Sequence, residues 1–105
     1  MQAAPPPVVT QELRIIDPEG HDRIVMSAAG GAPQIKMMRP DGHDGLAITL
    51  DGAGRASISL ANPLATGPKA ALEVDDKGAH VKFDREGGAS SYLFLNNEGA
   101  SGVVL

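Results

Sequence analysis

The stretch LRIIDPEGHDRIVM at residues 13–26 decides the fold, because it sets two short apolar segments on either side of a tight-turn signal. Asp17 opens the turn, Pro18 presets the backbone at the second position, and Gly20 supplies the positive φ of a type I turn closed by a bulge. The stretch leaves four residues before the turn and six after it, lengths that suit a strand and are too few for a helix. The stretch therefore predicts a β-hairpin.

Similar turn signals recur along the whole chain. The sequence IKMMRPDGHDGLAI at residues 35–48 aligns with residues 13–26 at a shift of 22, and residues 50–60 repeat the second half in shortened form. Eight breaks are predicted: six tetrapeptides ending in glycine (Asp17–Gly20, Arg39–Gly42, Asp51–Gly54, Asp75–Gly78, Asp84–Gly87, Asn96–Gly99) and two looser breaks at 28–33 and 62–68. These breaks leave about nine segments of strand length.

Apolar and polar residues alternate within the middle segments. Leu46, Ile48 and Leu50 point to one side, with Ala47 and Thr49 opposite, as in a strand that has one wet face. The one competing helical segment, residues 68–74, has seven residues and is too short to be stable alone. The sequence predicts an all-β antiparallel meander of repeated hairpins, with an up-and-down barrel as the alternative arrangement.

The outer segments carry apolar residues on both faces, and the core is thin. Of 44 apolar residues, 15 are alanine, which leaves 29 larger side chains for 105 residues. Both features predict a homo-oligomer, stacked or prism-like, with a trimer as one arrangement. The residues predicted to lie at the interface between copies are Ile16, Met26, Met37, Met38, Leu93, Leu95 and Val104.

Composition argues against several functional classes. A net charge of −4 is unsuited to binding nucleic acid through a basic face, and no apolar run is long enough to insert into a membrane. The absence of cysteine excludes disulfides, thiolate metal sites and a cysteine nucleophile. No serine lies in a nucleophile-elbow context and no phosphate-binding loop is present, so we expect no catalytic residues, no cofactor and no enzyme.

Two Gly-His-Asp turns are the candidates for a metal site. They place His21 and Asp22 at a point of the first hairpin equivalent to that of His43 and Asp44 in the second. Because zinc needs three or four convergent ligands, each hairpin alone supplies too few, and a polar residue after a turn glycine ordinarily faces water. We therefore predict no metal site, with these four residues as the candidates if one exists.

The unit of apolar strand, D-x-x-G turn, charged residue and apolar strand resembles repeats in uncharacterised bacterial exported and envelope proteins. The resemblance is carried by Asp17, Gly20, Arg23, Asp51 and Gly54, together with Arg55, and is best over residues 13–60. It implies an exported location, periplasmic, cell-surface or extracellular, and brings no activity with it. Three consecutive prolines make residues 1–10 a predicted disordered tail or linker, and residues 11–105 a single domain.

Two functions follow as expectations. The first is a non-enzymatic structural or interaction module, a self-associating β-repeat ectodomain of a secreted or membrane-anchored protein whose partner is itself. The alternative is a small β-barrel that binds an apolar ligand in its interior.

Overall fold

Nine antiparallel strands form one sheet in the computed structural model, which describes residues 3–105. Every strand pairs with its sequence neighbours, so strand order in the sheet is strand order in the chain. The strands are β1 (Glu12–Ile16), β2 (Asp22–Ser27), β3 (Gln34–Met38), β4 (Asp44–Leu50), β5 (Ala56–Leu60), β6 (Lys69–Asp75), β7 (Gly78–Asp84), β8 (Ser90–Asn96) and β9 (Ser101–Val104). The predicted all-β meander is confirmed, and residues 69–74 form a strand as expected.

The sheet is open. Within the described residues β1 pairs with β2 alone and β9 pairs with β8 alone. The up-and-down barrel is therefore wrong for this chain. Closure requires hydrogen bonds between the first and last strands, whereas here successive hairpins extend the sheet in one direction, to overall dimensions of 54 × 35 × 28 Å.

Turn chemistry holds the hairpins as the sequence predicts. In the first turn the amide of Gly20 donates to the Asp17 carbonyl at 3.0 Å, and Gly20 has a φ of 86°. The Asp17 carboxylate accepts the amides of Glu19 at 2.9 Å and His21 at 3.0 Å. The turns at Asp51–Gly54 and Asn96–Gly99 repeat this arrangement. An acceptor side chain at the first position thus satisfies amides that the turn leaves without a ladder partner.

Two turns differ from the prediction. The seventh turn is Arg85–Gly88, one residue later than predicted, because Asp84 still pairs with Ser90 and the amide of Gly88 donates to the Arg85 carbonyl. The sixth is a tight turn in which Asp75 and Gly78 are themselves paired strand residues. In both cases the ladder extends further than the tetrapeptide pattern indicated.

The β1–β2 and β3–β4 hairpins share a register shift. Ile16 stands opposite Asp22, and Met38 stands opposite Asp44, at equivalent β-bulges. Arg23, the extra residue of the first bulge, reaches across and donates from Nε to the Met38 carbonyl at 2.8 Å. The bulges increase local twist and fix the register of β1 to β4.

No second layer packs on the sheet. Among residues 3–105 only Ala47 is buried, and residues 3–10 have no secondary structure and are exposed. The described chain contains no helix that is both long and apolar enough to cross a bilayer. Its radius of gyration is 17.5 Å, against about 13 Å for a compact domain of this length.

Candidate interaction surface

One face of the sheet is apolar from the first strand to the last. Strand register aligns nine large aliphatic residues, one per strand, into what we call the central row: Leu13, Met26, Ile35, Ile48, Ile58, Leu72, Val81, Leu93 and Val103. The row has no charged, polar, aromatic or small member. Such a row arises because side chains alternate between the two faces in every strand and the register is constant across the central row, since the two bulges lie beyond it.

Two shorter rows flank the central row on the same face. We call them the first flanking row (Ile15, Ile24, Met37, Leu46, Leu60, Ala70, Phe83, Ser91) and the second flanking row (Leu50, Ala56, Val74, Ala79, Leu95, Ser101). Together the three rows form the apolar face. Unlike the central row, the flanking rows mix large and small residues.

The apolar face is open to solvent. The exposed fraction is 47% for Leu72, 52% for Phe83 and 55% for Leu93. On β5 the apolar residue is more exposed than the polar residues: Ile58 is exposed, whereas Ser57 and Ser59, which lie on the opposite face, are half-buried. A sheet normally turns its apolar side toward a core and its polar side toward water. Residues 3–105 contain no second layer that would cover the apolar side.

The opposite face is polar and charged over most of its length. Lys36 lies 3.2 Å from Asp44, and Lys82 lies 3.5 Å from Glu73 and 3.4 Å from Asp84. The Glu73 carboxylate beside Lys82 raises the pKa of that ammonium group. Such pairs of opposite charge, between neighbouring strands at Lys36–Asp44 and Lys82–Glu73 and within β7 at Lys82–Asp84, suit a solvated surface.

The polar face becomes apolar at its C-terminal end. Tyr92 and Phe94 lie on it with ring centroids 5.9 Å apart, and the Phe94 ring covers Gly102, where an added Cβ would lie 2.9 Å from the ring. Val104 pairs with Tyr92 on this side. The sequence prediction that the last strands carry apolar residues on both faces is confirmed for β8.

The structure divides the predicted interface residues between the two faces. Met26, Met37, Leu93 and Leu95 belong to the apolar face, whereas Val104 lies on the opposite face. Ile16 and Met38 stand opposite aspartates at the two bulges. Ile35, Ile48, Ile58 and Leu72, which form the middle of the central row, are not among the predicted interface residues, because the register that aligns them is not visible in a single strand.

The candidate metal ligands are engaged with other side chains. His21 Nδ1 lies 3.3 Å from an oxygen of Asp17, in its own turn, and His43 Nδ1 lies 3.5 Å from an oxygen of Asp41. Asp22 pairs with Arg14 at 3.0 Å, and Asp44 pairs with Lys36. Across residues 3–105 no three His, Cys, Asp or Glu side chains converge as a metal site would require.

A groove lies on the apolar face between residues 8–13 and strands β2 to β5. It has a volume of about 650 Å³, opens to solvent along its length, and is lined by Leu13, Met26, Ile35, Ile48 and Leu50 among others. The barrel interior on which the ligand-binding alternative depended is not formed. The groove is instead one part of the continuous apolar face.

Comparison with known proteins adds no relative. No protein-family model, curated protein or solved structure matches the chain.

Proposed function

We propose that this protein is a non-enzymatic structural module that associates with copies of itself through the apolar face. The observation that carries the proposal is the central row, which crosses all nine strands and which no strand or helix among residues 3–105 covers. A second copy is the occupant because the face offers a self-complementary apolar surface without charged residues that would select a different partner.

The exposed area supports an interface of obligate size. The chain exposes 7909 Å², whereas a compact monomer of 10.8 kDa exposes about 5,500 Å². The difference is about 2,400 Å² per chain, to which the extended residues 3–11 also contribute. Obligate interfaces between identical chains bury about 2,000–5,000 Å² in total. Covering the apolar face would supply area of this order.

Burial of the central row would also contribute free energy to association. Its exposed members include Leu72 at 47%, Leu93 at 55% and Val103 at 65%. Full burial of such a side chain contributes about 1.5–3 kcal/mol, so burial of the remaining half contributes about 1 kcal/mol at each position. Nine positions per chain thus offer about 9 kcal/mol, which is of the same order as the entropic cost of bringing chains together, and the flanking rows add further apolar area.

An exported location belongs to the proposal. It is supported by the resemblance of the D-x-x-G hairpin units to those of envelope proteins and by the run Pro5-Pro6-Pro7, which suits a linker. Fractionation of source cells with an antibody against the protein tests the location: recovery with the cytosol would contradict it.

Solution mass tests the self-association. Sedimentation equilibrium or light scattering at micromolar concentration should return a multiple of the 10.8 kDa chain mass. Circular dichroism of the same sample should show β-structure. A folded monomer at these concentrations would overturn the proposal.

A further inference from the structure

We infer that three copies of the chain pack their apolar faces around a common three-fold axis that runs along the long dimension of the sheet. Each strand then lies level with the same strand of the two other copies. The inference depends on the proposed function, because it names the partner and the geometry of the same surface. It is carried by the sizes of the side chains in the flanking rows.

Large and small residues alternate between the two ends of successive strands. From β5 to β8 every strand carries one large and one small residue at its flanking positions: Leu60 and Ala56, Val74 and Ala70, Phe83 and Ala79, Leu95 and Ser91. The large residue is in the first flanking row on β5 and β7 and in the second on β6 and β8. Strand β4, with Leu46 and Leu50, is large at both ends.

Rotation about an axis parallel to the long dimension of the sheet turns this alternation into complementarity. Such a rotation brings the first flanking row of one copy against the second flanking row of the next, at the same strand level. Val74 then meets Ala70 of a neighbouring copy, and Phe83 meets Ala79. Large residues fill the space beside small ones at each of the four levels. A two-fold axis perpendicular to the long dimension of the sheet would instead place β1 of one copy against β9 of the other, and large residues would no longer meet small ones at each level.

The central row is uniformly large and the flanking rows are mixed in size. This difference is explained if the sheets of neighbouring copies approach each other toward the ends of their strands. In a flat two-sheet sandwich the separation is about 10 Å throughout, so flanking pairs would need the same bulk as central pairs. The central row contributes only large aliphatic residues, whereas flanking pairs on β5 to β8 sum one large and one small residue. The distance between the sheets would therefore narrow from the centre of each strand to its ends, as it does inside a triangular prism.

Strand length fits the same triangle. Strands β1 to β8 have five to seven residues, which at about 3.3 Å per residue span about 17–23 Å. A triangle with sides of that length has its centre about 5–7 Å from each side, close to half of the about 10 Å separation of packed sheets. The central row of each copy would therefore reach the axis, where three aliphatic side chains would meet at every level.

Disulfide cross-linking tests both the symmetry and the register. The chain has no cysteine, so the double variant Ala70→Cys with Val74→Cys introduces the only thiols. Within one chain these positions are four residues apart on β6, about 13 Å, which is beyond the reach of a disulfide. In the three-fold assembly residue 70 of each copy meets residue 74 of the next. Mild oxidation should therefore give a closed covalent trimer of three chain masses on a denaturing gel.

Matched controls define what each outcome means. Either single variant, and the level-mismatched pair Ala70→Cys with Leu95→Cys, should give no trimer band, since β6 and β8 are separated by about 10 Å along the axis. A covalent dimer, with a dimeric native mass, would overturn the three-fold axis and leave self-association intact. An intact assembly without cross-links would overturn the strand-by-strand alignment. A monomeric parent chain would overturn the proposed function itself.

A size exchange provides an independent measurement. Ala70→Val places two large residues together and Val74→Ala leaves a gap, so each single variant should weaken association at least about tenfold. The double variant restores one large and one small residue at the level and should recover most of the parent affinity, a non-additivity expected only for residues in contact. Additive losses in the double variant would contradict the contact between positions 70 and 74.

Discussion

A charge placed in the central row should prevent assembly. Ile58 is the middle member of the row, on the fifth of nine strands, and pairs with Ile48 and Leu72. The variant Ile58→Asp puts a carboxylate where three copies would meet. Ser59→Asp is the matched control, because it adds the same charge to the next residue of β5 on the opposite, polar face.

The expected magnitude follows from burial. Ile58 retains 37% exposure in the single chain, so a carboxylate there still reaches water before association. Assembly would remove that water, and the effective cost of an unpaired buried ion is several kcal/mol. If the buried carboxylate costs about 3 kcal/mol in each chain, the free energy of forming the trimer becomes less favourable by about 9 kcal/mol, which corresponds to about a 10⁶-fold weaker association.

Sedimentation with circular dichroism measures this result. Ile58→Asp should be monomeric or unfolded at concentrations where the parent and Ser59→Asp are assembled and folded. If Ile58→Asp sediments with the parent mass, the apolar face is not the interface and the reasoning is refuted. If Ser59→Asp also dissociates, both faces contribute to association and the assignment to one face is wrong.

Three further predictions concern the turns and the ladder. Gly78→Ala should lower the free energy of unfolding by about 1–3 kcal/mol, measured by chemical denaturation, because Gly78 has a φ of 151° and an added Cβ would collide with the Leu95 carbonyl. Gly30→Ala is the control and should have little effect, since a Cβ at that position meets no neighbouring atom. Asp51→Ala should lower the unfolding temperature by about 4–8 °C through loss of its turn hydrogen bonds, and an unchanged temperature would show that water replaces them. Partial burial alone would raise the pKa of Asp17, but the hydrogen bonds from the turn amides outweigh it and the pKa is lowered. The ionised Asp17 carboxylate therefore stabilises the fold above about pH 4, and this stabilisation is lost as the pH falls through the lowered pKa. An acid titration of unfolding should therefore be shallower for Asp17→Asn than for the parent.

Local residue patterns were enough to predict the strands. Asp17, Pro18 and Gly20 specify a turn through hydrogen bonding and φ preference within four residues, and the same chemistry recurs along the chain. The prediction was one residue early at Arg85–Gly88. Gly87 and Gly88 both adopt a positive φ there, and the pairing of Asp84 with Ser90 extends the ladder past the predicted start of the turn.

The candidate surface was harder to predict. Met26, Met37, Leu93 and Leu95 were identified from apolar runs in single strands, whereas Ile48 was assigned only to one face of its strand. Whether that face is covered by the same chain depends on how the sheet curves, which no single strand encodes. The metal candidates His21 and His43 were paired by sequence symmetry alone, and the structure gives each histidine an aspartate of its own turn as neighbour.

The amino-acid sequence by itself determined the number of strands, their antiparallel order and the side of each strand that is apolar, because these depend on interactions between residues a few positions apart. The tertiary structure decided that the sheet stays open, that nine aliphatic residues align into one row, and that this row remains uncovered. Those properties arise from register and curvature accumulated over eight hairpin connections, in which a shift of one residue at any step would have sent the following strands' apolar side chains to the other face.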